Sequence, residues 1–311
     1  MKYNTNNLTG KTIAITGSTG GIASFLVENL AKLNANFIFI NRSKEKTYKQ
    51  ISNLLNLYPN LKLEFIECDL SDFKSVESAT KILKQKQIDV LYLCAGAYNI
   101  PRYKTNLDFD NVFQINFVSQ YYIAKELSNN IKSANGKIVA VSSIAHNYSE
   151  LDENDIDFST RKKHSKVYGN AKRFLTYSLM ELCKKENINL STVHPGLTLT
   201  EMTNHYPRVI NWLVKLFIGL FCPSTKEASL SLVAGVFNTT SHLEWIGPPI
   251  FQVYGKPKKI KLKTCNATEI KKIFEIAENI YQDIKKRELT LFFCWIFINK
   301  FNNLFFAIWL F

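Results

Sequence analysis

Lys11-Thr12-Ile13-Ala14-Ile15-Thr16-Gly17-Ser18-Thr19-Gly20-Gly21-Ile22-Ala23 is a short β-rich run, then three glycines in five residues, then the start of an apolar helical pattern continued by Phe25, Leu26 and Leu30. Strand, glycine turn, helix is the setting that a dinucleotide fingerprint requires. Glycine lets the backbone approach a pyrophosphate, and a helix N-terminus favours its negative charge. An ordinary strand-to-helix turn is the plainer alternative, but it needs fewer glycines. Gly17, Gly20 and Ala23 fit one spacing, Gly17 and Gly21 another, so the turn alone selects no subtype. The stretch nominates Gly17, Ser18, Gly20, Gly21 and Ile22 as cofactor contacts.

Working outward, residues 36–41 form a second buried strand, and 62–67, 88–94, 137–141 and 190–193 four more, with helical patterns between them. This alternation predicts an α/β fold: one doubly wound parallel sheet with right-handed crossovers. An Asp or Glu at the end of the second strand would bond a ribose 2′-hydroxyl. Asn41 and Arg42 stand there instead. Arg42 can pair with a 2′-phosphate, so NADP(H) is expected over NAD(H). The plainer alternative is an exposed Arg opening the next helix. Asp69, beside Leu70 at the end of the third strand, either meets an adenine ring or caps a helix from Ser71. Ala95-Gly96 ends the fourth strand, at the border of the crevice. Residues 105–131 read as largely helical, with Asn116 inside. A mid-helix Asn is mildly unfavourable, so it is either solvated or has a task.

Tyr168-Gly169-Asn170-Ala171-Lys172 puts a tyrosine and a lysine one helical turn apart on one face. An ammonium there favours phenolate and is expected to lower the tyrosine pKa from about 10. The pair can then exchange a proton with an alcohol oxygen. By itself the spacing is equally that of a partly exposed helix face.

These residues, in this order, resemble the short-chain dehydrogenase/reductase family in its single-domain branch, over about residues 10 to 255. The family's glycine motif falls on Thr16, Gly17, Gly21 and Ala23. Its Asn-Asn-Ala-Gly motif falls on Leu93-Cys94-Ala95-Gly96. Its active-site Asn, Ser, Tyr and Lys match Asn116, Ser143, Tyr168 and Lys172, and its Pro-Gly-x-x-x-Thr segment runs from Pro195-Gly196 to Thr200. Ser142-Ser143 at a strand end, the long acidic gap before Tyr168 (Asp152, Glu153, Asp155, Asp157) and His194 before Pro195 are most like the retinol-dehydrogenase-like and WW-domain-oxidoreductase-like members. No WW domain is present. Ala23 replaces a third glycine, Leu93-Cys94 replace both asparagines, and Ala171 stands where Ser is common. The resemblance implies that Ser143 bonds the substrate oxygen and Tyr168 moves its proton. Lys172 assists Tyr168 and bonds the nicotinamide ribose, and Asn116 holds a water linking Lys172 to solvent. It further implies cofactor contacts from Asp69, Leu70, Ala95, Gly96, Tyr168, Lys172, Pro195, Gly196 and Thr200. His194 is read as structural.

Three function classes meet this pattern. The leading one is an NADP(H)-dependent oxidoreductase acting on a hydrophobic alcohol/aldehyde or ketone. Nucleotide-sugar epimerisation on the same fold is a second, but such proteins usually carry a larger C-terminal substrate domain. A non-catalytic nucleotide-binding or membrane-scaffold protein is a third, since fold does not establish activity.

The chain has 311 residues and a formal charge of +13. Residues 256–288 hold ten Lys/Arg against five Asp/Glu. No basic stripe interleaved with stacking aromatics is present, so nucleic acid is not an expected partner. The six cysteines (68, 94, 183, 222, 265, 294) have no metal-type spacing and read as reduced thiols, with no metal expected. Residues 1–10 are polar and lack an apolar core, so no secretory leader is read there. The expected organisation is a polar lead (1–10), one Rossmann-fold domain (11–288) including a substrate-covering segment (197–222), and an apolar tail (289–311).

Residues 209–222 are nearly all apolar and suit either a greasy substrate or packing on the core or another subunit. Residues 266–286 read as an amphipathic helix capped by Asn266, with Ile270, Ile273, Ile276, Ile280 and Ile284 on one face. In the tail, apolar runs 291–298 and 304–311 flank Asn299-Lys300-Phe301-Asn302-Asn303. A span needs about 20 apolar residues, so two short segments dipping into one leaflet around a polar turn are expected. Lys285-Lys286-Arg287 would face an anionic, cytoplasmic membrane surface. A homo-oligomer burying the tail is the alternative.

Overall fold

The protein, seen as a computed structural model, is described for residues 7–196, 224–253 and 255–309, with side chains as far as 290. Among these residues the strands are β1 (Thr12–Thr16), β2 (Asn36–Asn41), β3 (Leu63–Glu67), β4 (Val90–Leu93), β5 (Lys137–Val141), β6 (Asn189–Val193), β7 (Glu244–Gly247) and β8 (Lys258–Lys261). They form one sheet in the order β3-β2-β1-β4-β5-β6-β7-β8. All neighbours are parallel except β8, which runs antiparallel to β7 with Lys258 opposite Gly247.

Helices α1 (Gly21–Ala31), α2 (Lys44–Leu57), α3 (Phe73–Leu83), α4 (Asn111–Phe113), α5 (Ser119–Glu126), α6 (Ser128–Ser133), α7 (His164–Glu186), α8 (Thr225–Phe237) and α9 (Ala267–Trp309) connect and extend the strands. Because both sheet faces are covered, the central strands β1, β2, β4 and β5 are largely apolar and alternate residues enter two cores. Ile13, Ile15, Phe37, Phe39 and Tyr92 pack with α1 and α8 on one face. Ala14, Ile38, Ile40, Leu91 and Leu93 pack with α3, α5, α7 and α9 on the other. The result is a single doubly wound domain. The chain order reverses at β1, between β2 and β4, which opens a crevice beyond their C-terminal ends.

Four local expectations change. Residues 105–131 are largely helical only from Asn111 on, and not evenly so: Asp110 caps α4 by accepting from the Val112 N–H, and Gln114–Val118 forms a π-turn before α5. Side-chain amides take up carbonyls there. Asn116 Nδ2 donates to Val112 O, and Gln120 Nε2 to Ile115 O and Asn116 O. The helix after Asp69 starts at Phe73, because Asp72 rather than Asp69 accepts from its first turn. Strands β7 and β8 are additions: one is four residues long before Pro248-Pro249, and the other is mostly lysine.

The fourth change concerns the C-terminus. Asn266 does cap α9, accepting from the Glu269 N–H. The backbone then continues as one helix through 299–303 to Trp309, with no polar turn. That stretch holds no Gly or Pro, and its asparagines cost under about 0.7 kcal/mol each in a helix. Of the basic cluster before it, Lys285 turns inward onto Glu126 and Glu288. Among the described residues no helix is long and apolar enough to cross a membrane.

Candidate active site

The glycine turn and the β4 turn meet at the crevice. Gly17 has φ +71, and a Cβ there would lie 2.8 Å from Ala95 Cα. Only glycine allows this approach without strain. Thr16 Oγ1 completes the join, accepting from the N–H groups of Cys94 and Ala95 at 3.0 and 3.1 Å. Thr16 thus ties β1 to the β4 turn at the point where Leu93 and Cys94 offer no polar side chain like asparagine. No side chain caps the first turn of α1, so its N–H groups remain available beside exposed Gly20. That is the donor set an anionic pyrophosphate fits, and the crevice suits a dinucleotide.

Ser18 and Asn41 serve this loop rather than face outward. Both are buried. Asn41 Oδ1 accepts from Ser18 N at 2.9 Å, and its Nδ2 donates to Ser18 Oγ at 2.8 Å. Gln50 of α2 adds two more bonds to Ser18, a contact with no local signal in the sequence. Arg42 is exposed at the rim, 3.9 Å from the Asp69 carboxylate. Asp69 also accepts from the Ser71 N–H and hydroxyl. Leu70 O accepts from Gln114 and Ser119, tying this turn to the π-turn.

Asn116 and Lys172 flank Gly96, where a Cβ would lie 2.9 Å from Asn116 Oδ1 and 3.6 Å from Lys172 Nζ. Asn116 is buried; it donates to Ala97 O at 2.8 Å and accepts from Ala97 N at 3.2 Å. It has a structural task, and a π-turn at such a position is a frequent companion of functional sites. Lys172 is also buried, and its Nζ donates to Val141 O at 2.9 Å.

Ser143 follows β5 and starts a tight turn, its hydroxyl accepting from Ala145 N at 3.2 Å. This turn lies directly on α7. A Cβ on Gly169 would be 2.5 Å from Ala145 O, so glycine beside Tyr168 is what lets the serine turn come so near. The Ser143 side chain is near enough to Tyr168 to pull the phenol pKa down. Tyr98 stands edge-on to the Tyr168 ring at 5.3 Å, a neighbour that sequence reasoning missed. Its one signal is an aromatic two residues beyond Ala95-Gly96.

Burial pushes the Tyr168 hydroxyl up to about 12, against a smaller lowering by the Ser143 side chain. The expected lowering by Lys172 is therefore reversed. Its ammonium is 5.8 Å from the ring centroid and is itself pushed down to about 8 by burial. Burial also holds the neighbouring Cys94 thiol up at about 12, so it stays protonated at neutral pH.

Pro195 and Gly196 follow β6, with Gly196 at φ +88. Thr200 and the segment 197–222 lie outside the described residues. His194 is fully enclosed; its Nε2 lies 3.0 Å from Gln252 O and its ring stacks on Trp245 at 4.7 Å. The acidic gap is structural as well. Asp157 accepts from Asp110 N and Lys104 Nζ, and Asp152 and Asp155 pair with Arg161. Among the described residues no cluster could hold a metal, and Cys68, Cys94, Cys183 and Cys265 are free thiols.

The family model described as short chain dehydrogenase matches residues 11–209. Human retinol dehydrogenase 13 is 28% identical over 203 residues, covering 63% of this chain and 61% of that protein. The match thus spans about three fifths of that relative's length. Human polyprenol dehydrogenase is 28% identical over 250 residues, 75% of this chain and 74% of its own. Among solved structures, the NADPH-dependent 3-quinuclidinone reductase of Rhodotorula rubra superposes with a TM-score of 0.59 at 18% identity, covering 75% of this chain and 86% of that one.

Proposed function

This chain belongs to the short-chain dehydrogenase family, and from that premise we propose that it transfers hydride between NADP(H) and a hydrophobic alcohol/aldehyde or ketone. The observation that carries the reading is the packing of the Ser143 turn on α7 at Gly169, beside Tyr168, with Lys172 one helical turn away and its ammonium 5.8 Å from the Tyr168 ring. The nicotinamide supplies or accepts the hydride. Ser143 donates a hydrogen bond to the substrate oxygen. Tyr168 gives that oxygen a proton in reduction and takes one in oxidation. Lys172, fixed by Val141 O, holds the base of the site and offers its remaining donors to the cofactor ribose. Asn116 keeps the β4 turn closed over Lys172 and holds a water on the path to solvent.

Arg42 supports NADP(H) over NAD(H): an exposed guanidinium at the end of β2, where a carboxylate would repel a 2′-phosphate. The apolar composition of 209–222 supports a greasy substrate. The apolar tail, set on a helix that runs unbroken to Trp309, supports attachment to the cytoplasmic face of a membrane. Retinol and polyprenol, named in the relatives, are substrates of the same apolar class. The test is a cofactor-oxidation screen with NADPH and NADH against aldehydes and ketones of rising chain length. Activity that grows with chain length and prefers NADPH is expected. No turnover with any carbonyl would sink the reading.

A further inference from the structure

His146 lies three residues beyond Ser143 and is fully buried. Its Nδ1 is 2.6 Å from the Ser143 carbonyl oxygen, and its Nε2 is 3.0 Å from Thr264 Oγ1. A carbonyl only accepts, so Nδ1 carries the proton and donates it. Nε2 therefore accepts from the Thr264 hydroxyl. The Tyr177 hydroxyl lies 2.6 Å from Thr264 Oγ1 and, that proton being spent, is the donor. One arrangement of protons thus satisfies Tyr177, Thr264, His146 and Ser143 in sequence. Burial holds the His146 pKa down at about 4, so this neutral tautomer persists at neutral pH.

Arg173, next to Lys172 on α7, closes the same assembly from below. It is 4% exposed. Its Nη1 donates to His146 O and its Nη2 to Thr264 O, both at 3.0 Å, and its Nε donates to Glu269 Oε1 at 2.9 Å. Glu269 is in the first turn of α9. Trp245 adds a wedge, edge-on to His146 at 5.1 Å and stacked on His194.

We propose that His146 and Arg173 are positioning residues for the Ser143 hydroxyl, latching the serine turn to the first turn of α9, so that the C-terminal helix belongs to the active-site framework. The inference rests on the reading of Ser143 as the donor to the substrate oxygen. Lys172 faces the crevice while its neighbour Arg173 grips the turn that carries Ser143. The two reacting groups are thereby set against each other through one helix. A misplacement of 1 Å suffices to cost about 100-fold in rate, so a buried latch of this kind is expected to act on turnover.

The test uses the full chain and the best carbonyl from the screen, with Ser143→Ala, His146→Leu, His146→Asn and Glu269→Gln. The Asn amide can stand in for the Nδ1–H donor. His146→Leu should lower kcat about 10- to 100-fold, with NADPH affinity by titration unchanged, and His146→Asn should recover most of it. Glu269→Gln, altered at a side chain 21% exposed, should lower kcat while its Tm stays near wild type. It carries the test should His146→Leu fail to fold. If kcat falls only with the folded fraction, or Asn gives no recovery, the network is structural alone and the proposal is overturned. Turnover retained in Ser143→Ala would instead refute the role of Ser143. An inactive Ser143→Ala beside full kcat in His146→Leu and Glu269→Gln would refute the latch by itself.

Discussion

Gly17→Ala and Gly20→Ala should behave oppositely, although the two glycines share one loop. At Gly17 the backbone has φ +71, and a Cβ would lie 2.8 Å from Ala95 Cα, a backbone atom held by β4. The left-handed conformation costs an alanine about 1–2 kcal/mol. Separating the two turns adds about 1–3 kcal/mol of overpacking strain. Together these predict a loss of about 2–5 kcal/mol, or a Tm drop of roughly 3–9 °C for a domain of this size. At Gly20, φ is −71, and a Cβ would meet only Gly17 O at 3.4 Å. Gly20→Ala should therefore stay within about 0.5 kcal/mol of wild type in stability. Its methyl would instead stand where the pyrophosphate approaches α1. Loss of one charge-assisted hydrogen bond there weakens NADPH by about 1.5–3 kcal/mol, roughly 10- to 100-fold. Thermal melts without cofactor and a calorimetric NADPH titration read both effects. Equal Tm losses in the two variants, or wild-type NADPH affinity in Gly20→Ala, would refute the reasoning.

Tyr168→Phe should abolish turnover in the carbonyl assay while NADPH titration stays near wild type; retention of most of the rate would mean that another group moves the proton. Arg42→Ala should weaken NADPH more than NADH by about 1.5–3 kcal/mol, and equal weakening of both would remove the 2′-phosphate role. Acid should destabilise the fold: burial holds His146 and His194 at about 4 and about 3, below the ordinary 6.5. Below pH 6.5 the unfolded chain takes up protons that the folded chain refuses, so stability is present above 6.5 and lost as pH falls toward 4. A Tm flat from pH 7 to 4 would contradict this, and His146→Asn should make the slope shallower. The full chain should sediment with vesicles rich in anionic phospholipid, less so at high salt; a chain left in the supernatant at physiological salt would favour a tail buried between subunits. Any truncation probing the tail should fall beyond Glu288, whose carboxylate accepts from the Tyr122 hydroxyl.

The sequence by itself determined the sheet and the kind of site. Apolar runs at β1 to β6 had to be buried on both faces, and helix-length gaps between them forced parallel pairing. Gly17, Gly20 and Gly21 marked the crevice because backbone freedom is written in residue type. Asn266 marked the start of α9, since capping is local chemistry. Tertiary structure alone decided what lay far apart in the chain. The sequence spacing of Tyr168 and Lys172 suggested a lowered tyrosine pKa. The folded surroundings raise it instead, because desolvation depends on neighbours distant in the chain, among them Tyr98, Val112 and Phe158. Asn41, which stands where a ribose-binding carboxylate would, is the buried tie of the glycine loop, a pairing across 23 residues. Strand β8 escaped notice because an edge strand needs no apolar alternation. The contacts of Thr264 and Glu269 with the serine turn and α7 were invisible for a different reason. Hydrogen bonds between elements 91 and 118 residues apart leave no periodic trace in sequence, and only packing brings their partners together.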